Sequence, residues 1–334
     1  MLRTRLTRRI LAYFMAVLCT TALAASVLAY AQGYPSKPVR IIVPWPAGGN
    51  IDGVVRVISP RLAEGLGQQL VVDNRAGASG MIGSELAARA APDGYTLLVD
   101  NMTSHAINPS LFGKLSFDTE RDFAPVRTLV TIPHVLVAHP SLPATTMKEL
   151  IALARAMPGK LDYASFGAGT TSHLAGEMLK TMAQIDLVHV PYKGGPAALT
   201  DTLAGYVPLY FAGIAITIPH VSNGRLRALA VATLRRSPLM PDVPTMVEGA
   251  NLAGYEVASM IAMVAPAGAP KEIVDRLNTE VTRVMQMRDV REKLAAMGLD
   301  MAEDSSPSRF PDWYRAERAK WTKVIREAGV KAEK

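Results

Sequence analysis

Two glycine-containing turns hold the residues whose types and spacing could do chemistry, and that chemistry is the binding of an anion. The first turn follows the apolar run 39–43 and contains Gly48 and Gly49, and from residue 51 onward apolar side chains recur at helical spacing. The free N–H groups at a helix start can bind an anion, and glycine lets a ligand approach the backbone closely. Asp52 is predicted to cap this helix and to orient the turn.

The second turn, within residues 165–173, repeats the order of strand, glycine turn and helix start. Its glycines are Gly167 and Gly169, and the hydroxyl groups of Ser165 and Thr170 can donate to an anion or cap the helix. In open α/β sheets ligands bind at the carboxyl ends of strands, which is where both turns fall. A pair of such turns therefore favours a small acidic ligand held between two lobes.

Enzymatic, metal and nucleotide chemistry find less support in the sequence. The first turn has neither the Lys-Ser/Thr pair of a phosphate-binding P-loop nor the G-x-G-x-x-G spacing of a dinucleotide site. The histidines show no H-x-x-x-H or H-E-x-x-H spacing, so neither a metal nor a cofactor is predicted. Ser165, Ser172 and His173 can be arranged as a triad with an aspartate, yet no G-x-S-x-G motif is present. No catalytic residue is therefore predicted.

The N-terminal segment predicts export to the periplasm. Four arginines precede the apolar run 10–28, and the small residues at positions 29 and 31 predict cleavage after Ala31. An uncleaved N-terminal anchor is one alternative, and a twin-arginine instead of a general secretory signal is another. The single cysteine, Cys19, lies inside this segment, so the exported chain is predicted to have no disulfide and no thiol chemistry.

The charge of the exported chain gives no reason to expect nucleic acid as a partner. The 36 basic and 29 acidic residues give a formal charge of +7, and four of the arginines belong to the export segment. Without those four, 32 basic residues face 29 acidic ones, which leaves a charge of +3. Only 19% of the residues are charged and 49% are hydrophobic, a composition typical of a globular protein.

Apolar strand-like runs alternate with helical patterns along the chain, which predicts an α/β fold. Two such series are joined by the long apolar runs 126–138 and 256–265, which are expected to cross from one lobe to the other. We therefore predict a two-lobed architecture with a hinge, in which each lobe is a mainly parallel sheet flanked by helices. Lobe 1 is predicted to comprise residues 32–131 and 262–334, and lobe 2 residues 132–261.

Ten short segments, spread in order over essentially the whole exported chain, resemble one protein family. They are PSKPVR (35–40), PWPAGG (44–49), DNRAG (73–77), PDGYTLL (92–98), AINPSL (106–111), DFAP (122–125), PGKL (158–161), HVPYKG (189–194), LRALAV (226–231) and VAPAG (264–268). The family is that of the tripartite tricarboxylate transporter substrate-binding proteins, or Bug proteins. The resemblance implies a periplasmic binding protein of the type II architecture, a carboxylated ligand and the membrane subunits of such a transporter as partners. A monomer is expected.

The resemblance also implies which residues bind the ligand, because the family usually grips one carboxylate with the backbone of the two glycine turns, often through water. Carried over to this sequence, the contacting residues are Ala47, Gly48, Gly49, Asp52, Ser165, Gly167, Ala168, Gly169, Thr170 and His173. Ser79 and Ser104 match positions that often border the cleft in the family.

Two positions depart from the family's pattern. Trp45 stands where phenylalanine is usual, and its larger ring is expected to reshape the mouth of the cleft. Ala212 follows Phe211 where an aspartate is frequent. Without that carboxylate the site lacks a partner for a ligand ammonium or hydroxyl, which favours an organic acid over an amino acid.

Three functions remain open from the sequence. Delivery of the ligand to a membrane transporter is the leading interpretation, an orphan carboxylate receptor that signals to a membrane sensor is the alternative, and hydrolysis is a remote one. Neighbouring genes for two membrane subunits would favour transport, whereas turnover of the ligand would favour hydrolysis. Lys193 is either a cation near the cleft or a solvated turn residue.

Overall fold

The structure is a computed structural model that describes residues 33–113, 115–302 and 305–330. The predicted export segment and its cleavage site lie outside these residues. The strands are β1 (Val39–Val43), β2 (Leu70–Asn74), β3 (Thr96–Asn101), β4 (Phe123–Ala138), β5 (Asp162–Ser165), β6 (Val188–Pro191), β7 (Leu209–Gly213), β8 (Arg227–Val231), β9 (Ala258–Pro266) and β10 (Asp300–Met301). The helices are α1 (Asn50–Leu66), α2 (Met81–Ala88), α3 (Met102–Phe112), α4 (Thr119–Asp122), α5 (Met147–Ala156), α6 (Thr171–Ala183), α7 (Gly195–Leu203), α8 (Ile214–Ser222), α9 (Met246–Ala250), α10 (Lys271–Gln286), α11 (Arg288–Ala296) and α12 (Phe310–Ala328). Across the described ranges, no helix is both long enough and apolar enough to span a membrane.

The first sheet has the strand order β2-β1-β3-β9-β4-β10. β1 runs parallel to β2 and β3 and is covered on both faces, because Ile41 and Ile42 point into different core clusters. α1 buries one apolar side, including Val55 and Ile58, against this sheet. These elements confirm the strand, turn and helix predicted around the first glycine turn.

The second sheet has the order β8-β4-β7-β5-β6. β5 runs parallel to β6 and β7, and its Tyr163 and Ala164 face opposite core clusters. α6 begins directly after the second glycine turn, so this unit repeats the geometry of the first lobe. The glycine turns lie at the carboxyl ends of β1 and β5, the edge where ligands bind in such sheets.

β4 belongs to both sheets and joins the lobes. Its residues up to Pro133 pair with β9, whereas those from His134 onward pair with β7 and β8. The predicted two-lobed, type II arrangement is therefore confirmed. Both sheets are mixed, because the crossing strands enter antiparallel to their neighbours, while the strands of each βαβ unit are parallel as predicted. The predicted lobe boundaries near residues 131 and 262 stay a prediction.

Two helices beside the cleft, α3 and α8, are absent from the sequence-based prediction. α3 is buried on nearly every side, so it lacks the polar face that makes a helical period visible, and Pro109 inside it resembles a helix end. α8 is apolar and β-branched in its first turns and also contains a proline, Pro219, so its sequence resembles a strand.

The C-terminal helix α12 packs on both lobes. Phe310 and Tyr314 near its start belong to a core cluster of the first lobe. Trp321 and Ile325 near its end belong to the main core cluster of the second lobe, and Trp321 is fully buried. This helix therefore forms a contact between the lobes in addition to the crossing strands.

Candidate ligand-binding site

Two neighbouring spaces lie between the lobes. The inner cavity, about 50 Å³, is bordered by residues that include Gly49, Asn50, Asn101, His134, Tyr210 and Ser259. The outer chamber, about 500 Å³, is bordered by the turn 76–80 of the first lobe and by Gly167, Ala168, Tyr192 and Lys193 of the second. Trp45, Pro46 and Phe166 border both spaces, so these three side chains form the wall between them.

The wall between the two spaces brings the lobes into contact. The rings of Trp45 and Phe166 meet edge to face, with their centroids 5.8 Å apart. The indole Nε1 of Trp45 donates to Oδ1 of Asp100 at 2.5 Å, which fixes the ring. From the sequence, the larger ring of Trp45 is expected to reshape the mouth of the cleft. In the structure this ring is part of the wall that divides the cleft.

The carboxylate of Asp52 holds the first turn from inside. Its Oδ2 accepts the N–H of Gly48 at 2.9 Å and Nε of Arg56 at 2.8 Å, and its Oδ1 accepts Nδ2 of Asn74 at 3.1 Å. Burial would raise the pKa of Asp52, but the hydrogen bonds from Arg56 and Gly48 outweigh it and keep the pKa below its ordinary value. The N-cap of α1 is Gly49, so the predicted cap by Asp52 is wrong, and Asp52 instead orients the turn from within the first helical turn.

The polar side chains of the second turn bond mainly to its own backbone. Thr170 is the N-cap of α6, where its Oγ1 accepts the N–H of His173 and donates to the carbonyl of Gly167 at 2.6 Å. Oγ of Ser165 accepts the N–H of Gly167 at 3.1 Å. Nδ1 of His173 accepts the N–H of Gly169 at 3.2 Å. These three side chains shape the turn that the sequence singles out.

A pair of stacked imidazoles supports the second turn from beneath. The rings of His173 and His189 are 3.9 Å apart between centroids and nearly parallel. Burial lowers the pKa of His173 to about 4 and that of His189 to about 3, so both rings are neutral at pH 7. A neutral ring carries one proton, and the N–H of Gly169 donated to Nδ1 of His173 places that proton on Nε2.

A buried polar network joins the lobes at the base of the inner cavity. Oγ of Ser259 on β9 accepts Nδ2 of Asn101 at 2.9 Å and lies 2.6 Å from Oγ1 of Thr171 on α6. Nε2 of His134 on β4 is 2.9 Å from Oγ1 of Thr171 and 3.0 Å from Oγ of Ser259. Burial lowers the pKa of His134 to about 4, so the network contains a neutral ring at pH 7.

Three helix starts border the inner cavity, and none of its described lining residues is a lysine or an arginine. Gly49 and Asn50 begin α1, Gly195 begins α7, and Asn101 caps α3 with its side chain. The N–H groups of a first helical turn carry partial positive charge. None of the described residues that border this cavity is acidic. The arrangement suits an anion.

The predicted site residues separate into those that border the two spaces and those that do not. Gly49 borders the inner cavity, and Ser79, Gly167 and Ala168 border the outer chamber. Nine predicted residues border neither space: Ala47, Gly48, Asp52, Ser104, Ser165, Gly169, Thr170, His173 and Ala212.

These nine residues lie in four kinds of surroundings. Ala47 and Gly48 are exposed on the first turn. The hydrogen bonds described above hold the two turns together, and they involve Asp52, Ser165, Gly169, Thr170 and His173. Ser104 is buried in α3, and its Oγ has no hydrogen-bond partner among the described residues. Ala212 belongs to a core cluster of the second lobe. A Cβ on Gly169 would meet Phe112 at 2.5 Å, so the absence of a side chain there serves packing against α3.

Sequence reasoning missed several residues at the inner cavity, namely Asn50, Asn101, His134, Phe166 and Ser259. Asn50 directly follows the first glycine turn, and a search for helix-start side chains would find it. The buried Oδ1 of Asn50 has no partner within the part of the chain that the structure describes. His134 and Ser259 lie on the crossing strands, where only the fold reveals that they face the cleft.

The geometry offers no support for catalysis by the serines and histidine of the second turn. Oγ of Ser172 donates to the carbonyl of Phe211, and Oγ of Ser165 bonds to His189 instead of His173. Ser165 and Ser172 are fully buried. Over residues 33–113, 115–302 and 305–330, no group of three or more His, Cys, Asp or Glu side chains could hold a metal ion.

Comparisons with known proteins agree with this architecture. A family model described as the tripartite tricarboxylate transporter family receptor matches residues 54–330. Protein BugT of Bordetella pertussis is 35% identical over 326 residues, which are 97% of this chain and 98% of BugT.

Two solved structures from Rhodopseudomonas palustris are similar over most of the chain. Rpa4515 with adipate has a TM-score of 0.85 and 36% identity, covering 89% of this chain and 99% of its own. MatC with bound malate has a TM-score of 0.83 and 31% identity, covering 87% of this chain and 100% of its own. The resemblance carried by the ten segments is confirmed. The chain belongs to the tripartite tricarboxylate transporter receptor family, the solute-binding proteins that include the Bug proteins.

Proposed function

We propose that this protein is a periplasmic receptor that captures a small carboxylate between its lobes and delivers it to the membrane subunits of a tripartite tricarboxylate-type transporter. One observation carries the proposal: the starts of α1 and α7 and the cap of α3 border one cavity whose described lining includes no acidic side chain. A carboxylate bound there gains hydrogen bonds from backbone N–H groups without facing a like charge.

The related structures support the chemical class of the ligand. Rpa4515 was solved with adipate and MatC with malate, and both ligands are dicarboxylates. In our proposal Gly49, Ser79, Gly167 and Ala168 contact the ligand. Asp52, Ser165, Gly169, Thr170 and His173 act indirectly, because their hydrogen bonds hold the two turns in shape.

A thermal-shift screen tests the proposed binding. A ligand that binds only the folded protein adds about 2.7 kcal/mol of stability at 100 times its Kd, so a mono- or dicarboxylate should raise the melting temperature. The corresponding neutral amides should leave it unchanged, because they lack the charge that the helix starts stabilise. Equal shifts with acids and amides, or none with any acid, would contradict the proposal.

Delivery and the absence of turnover need separate tests. Ligand recovered after prolonged incubation should be chemically unchanged by NMR, and appearance of a product would favour a hydrolase. Cells that lack the neighbouring membrane subunits should lose uptake of the ligand while the receptor still binds it. Unchanged uptake in those cells would favour a receptor that signals to a membrane sensor. We expect the receptor to act as a monomer.

A further inference from the structure

The carboxylate of Asp100 is buried behind the wall between the two spaces and borders neither of them. Its Oδ1 accepts Nε1 of Trp45 at 2.5 Å and the N–H of Asn101 at 2.6 Å. Its Oδ2 accepts Oγ of Ser84 at 2.9 Å and lies 2.7 Å from Nε2 of His105. Four polar groups thus converge on one carboxylate, and one of them is the indole of the wall.

The groups around Asp100 are themselves held in place. Nδ1 of His105 is 3.0 Å from Oγ1 of Thr119, and the carbonyl of His105 accepts the hydroxyl of Tyr314 on α12 at 3.0 Å. The His105 ring also packs against Phe117, with the ring centroids 5.3 Å apart. Because His105 and Thr119 are buried, Asp100 cannot turn away from the indole without leaving buried polar atoms unpaired.

The indole of Trp45 is also in contact on its other sides. A Cβ on Gly80 would lie 3.2 Å from Cζ2 of Trp45, so the turn 76–80 lies directly against the ring. From the opposite lobe, the ring of Phe166 meets the indole edge to face. The ring of Trp45 is therefore held at its nitrogen by Asp100, on one side by its own lobe and at one edge by the other lobe.

The wall limits the width of a molecule that lies beside it. In our proposed function one ligand contacts Gly49 at the inner cavity and Gly167 at the outer chamber, so the ligand must pass the edge of the wall. The inner cavity of about 50 Å³ leaves little room for a side group next to the carboxylate. A phenylalanine in place of Trp45 would lack the second ring and the N–H, so it would neither fill the same volume nor bond to Asp100.

We propose that Asp100 is a positioning residue for ligand selectivity. It holds the indole of Trp45 as a fixed wall, and this wall admits carboxylates with an unbranched chain and excludes those with a methyl branch near the carboxylate. Asp100 acts only through the indole, because it borders neither space. This inference rests on the proposed function, since it requires a carboxylate bound at the helix starts.

The test is isothermal titration with unbranched mono- and dicarboxylates of four to six carbons and with their 2-methyl and 3-methyl derivatives. Trp45→Phe removes both the N–H and the second ring. Replacement of Trp45 by 3-benzothienylalanine keeps both rings and puts sulfur in place of the N–H, so that only the bond to Asp100 is lost. Asp100→Asn keeps an acceptor oxygen for the indole, and Trp313→Phe makes the matched change on α12, where Trp313 packs against Phe310. Circular dichroism and melting temperature establish that each variant is folded.

Wild type should bind its best unbranched acid about tenfold or more tightly than the methyl-branched derivatives, as expected for one methyl group too many in a tight site. Both replacements of Trp45 should gain affinity for the branched acids and so reduce the preference, while Asp100→Asn and Trp313→Phe keep it. A gain of affinity separates positioning from general destabilisation, because a loosened fold would weaken the binding of both kinds of acid.

Retention of the preference in the folded benzothienylalanine variant would overturn the role of Asp100. Retention of the preference in folded Trp45→Phe, or equal weakening of branched and unbranched acids, would overturn the role of the wall. A wild type that binds branched and unbranched acids alike refutes the selectivity but leaves the proposed function intact. A wild type that binds no acid refutes both.

Discussion

A Cβ built on Gly213 in the second lobe would lie 2.1 Å from Nδ2 of Asn50 in the first lobe. Gly213 has a φ of −68°, which other residues adopt readily, so space and not backbone freedom accounts for glycine at this position. The amide of Asn50 occupies the volume that any larger residue at position 213 would need. This pair is thus a sensitive indicator of how closely the lobes approach.

Gly213→Ala should weaken ligand binding about tenfold, because the added methyl prevents Asn50 from reaching its place when the lobes close. Asn50→Ala combined with Gly213→Ala should recover part of the loss, with a coupling energy of about 0.5–3 kcal/mol. Isothermal titration of the wild type, both single variants and the double variant gives this coupling. Strictly additive effects would mean that the two residues do not meet in the ligand-bound protein.

The local parts of the fold could be predicted from the sequence, since each turn lies between a β-type run and a helical period. Gly48, Gly49, Gly167 and Gly169 mark these turns, because glycine interrupts both regular patterns and tolerates the backbone angles of a tight turn. The crossing strand β4 could also be predicted, because a 16-residue apolar strand is too long for one small sheet.

The residues at the base of the cleft could not be predicted, because their partners are distant in the sequence. Asn101 bonds to Ser259, 158 residues later, and Thr171 lies beside both Ser259 and His134. Sequence periodicity carries no information about such contacts. For the second turn the sequence left open whether Ser165 and Thr170 donate to an anion or cap the helix, and the structure shows Thr170 as the N-cap of α6.

The protein should lose stability as the pH falls from about 6.5 toward 4. Burial lowers the pKa of His134 and His173 to about 4 and that of His189 to about 3, so the unfolded chain binds protons that the folded protein excludes. The free energy of unfolding keeps the full contribution of these neutral rings above about pH 6.5. Between that pH and the pKa of its folded form, each histidine lowers the free energy of unfolding by about 1.4 kcal/mol per pH unit. Urea unfolding at pH 7.5, 6 and 5 measures this slope.

A single substitution should identify one of these histidines. His173→Gln removes one titrating ring, so the unfolding free energy of the variant should vary less with pH than that of the wild type. An identical slope in His173→Gln would show that this ring titrates normally in the folded protein.

Thr170→Val should destabilise the protein by about 0.5–2 kcal/mol, because the N-cap of α6 loses the acceptor for the N–H of His173. Thr170→Ser keeps the hydroxyl and should stay close to wild type. Chemical denaturation measures the stability of both variants, and titration measures their affinity for the ligand. Lost affinity in Thr170→Val at wild-type stability would show that the hydroxyl contacts the ligand and not the helix.

The exported protein should begin at Gln32. The arginines, the apolar run and the small residues at positions 29 and 31 are the basis of this prediction. Mass spectrometry of the protein released from the periplasm measures the N-terminus directly. Recovery of the intact chain in the membrane fraction would instead support an N-terminal anchor.

Isothermal titration of Gly49→Val with the best carboxylate tests the central claim most directly. Gly49 has an extended backbone with φ −78°, which valine adopts readily, and a Cβ there would lie 3.3 Å from the carbonyl oxygen of Pro46, so the turn must shift slightly to admit the side chain. Its side chain would stand at the helix start that borders the inner cavity. We predict a folded variant, with at most about 1 kcal/mol lost at the N-cap, that no longer binds the carboxylate. Wild-type affinity in the folded variant would show that the carboxylate binds elsewhere.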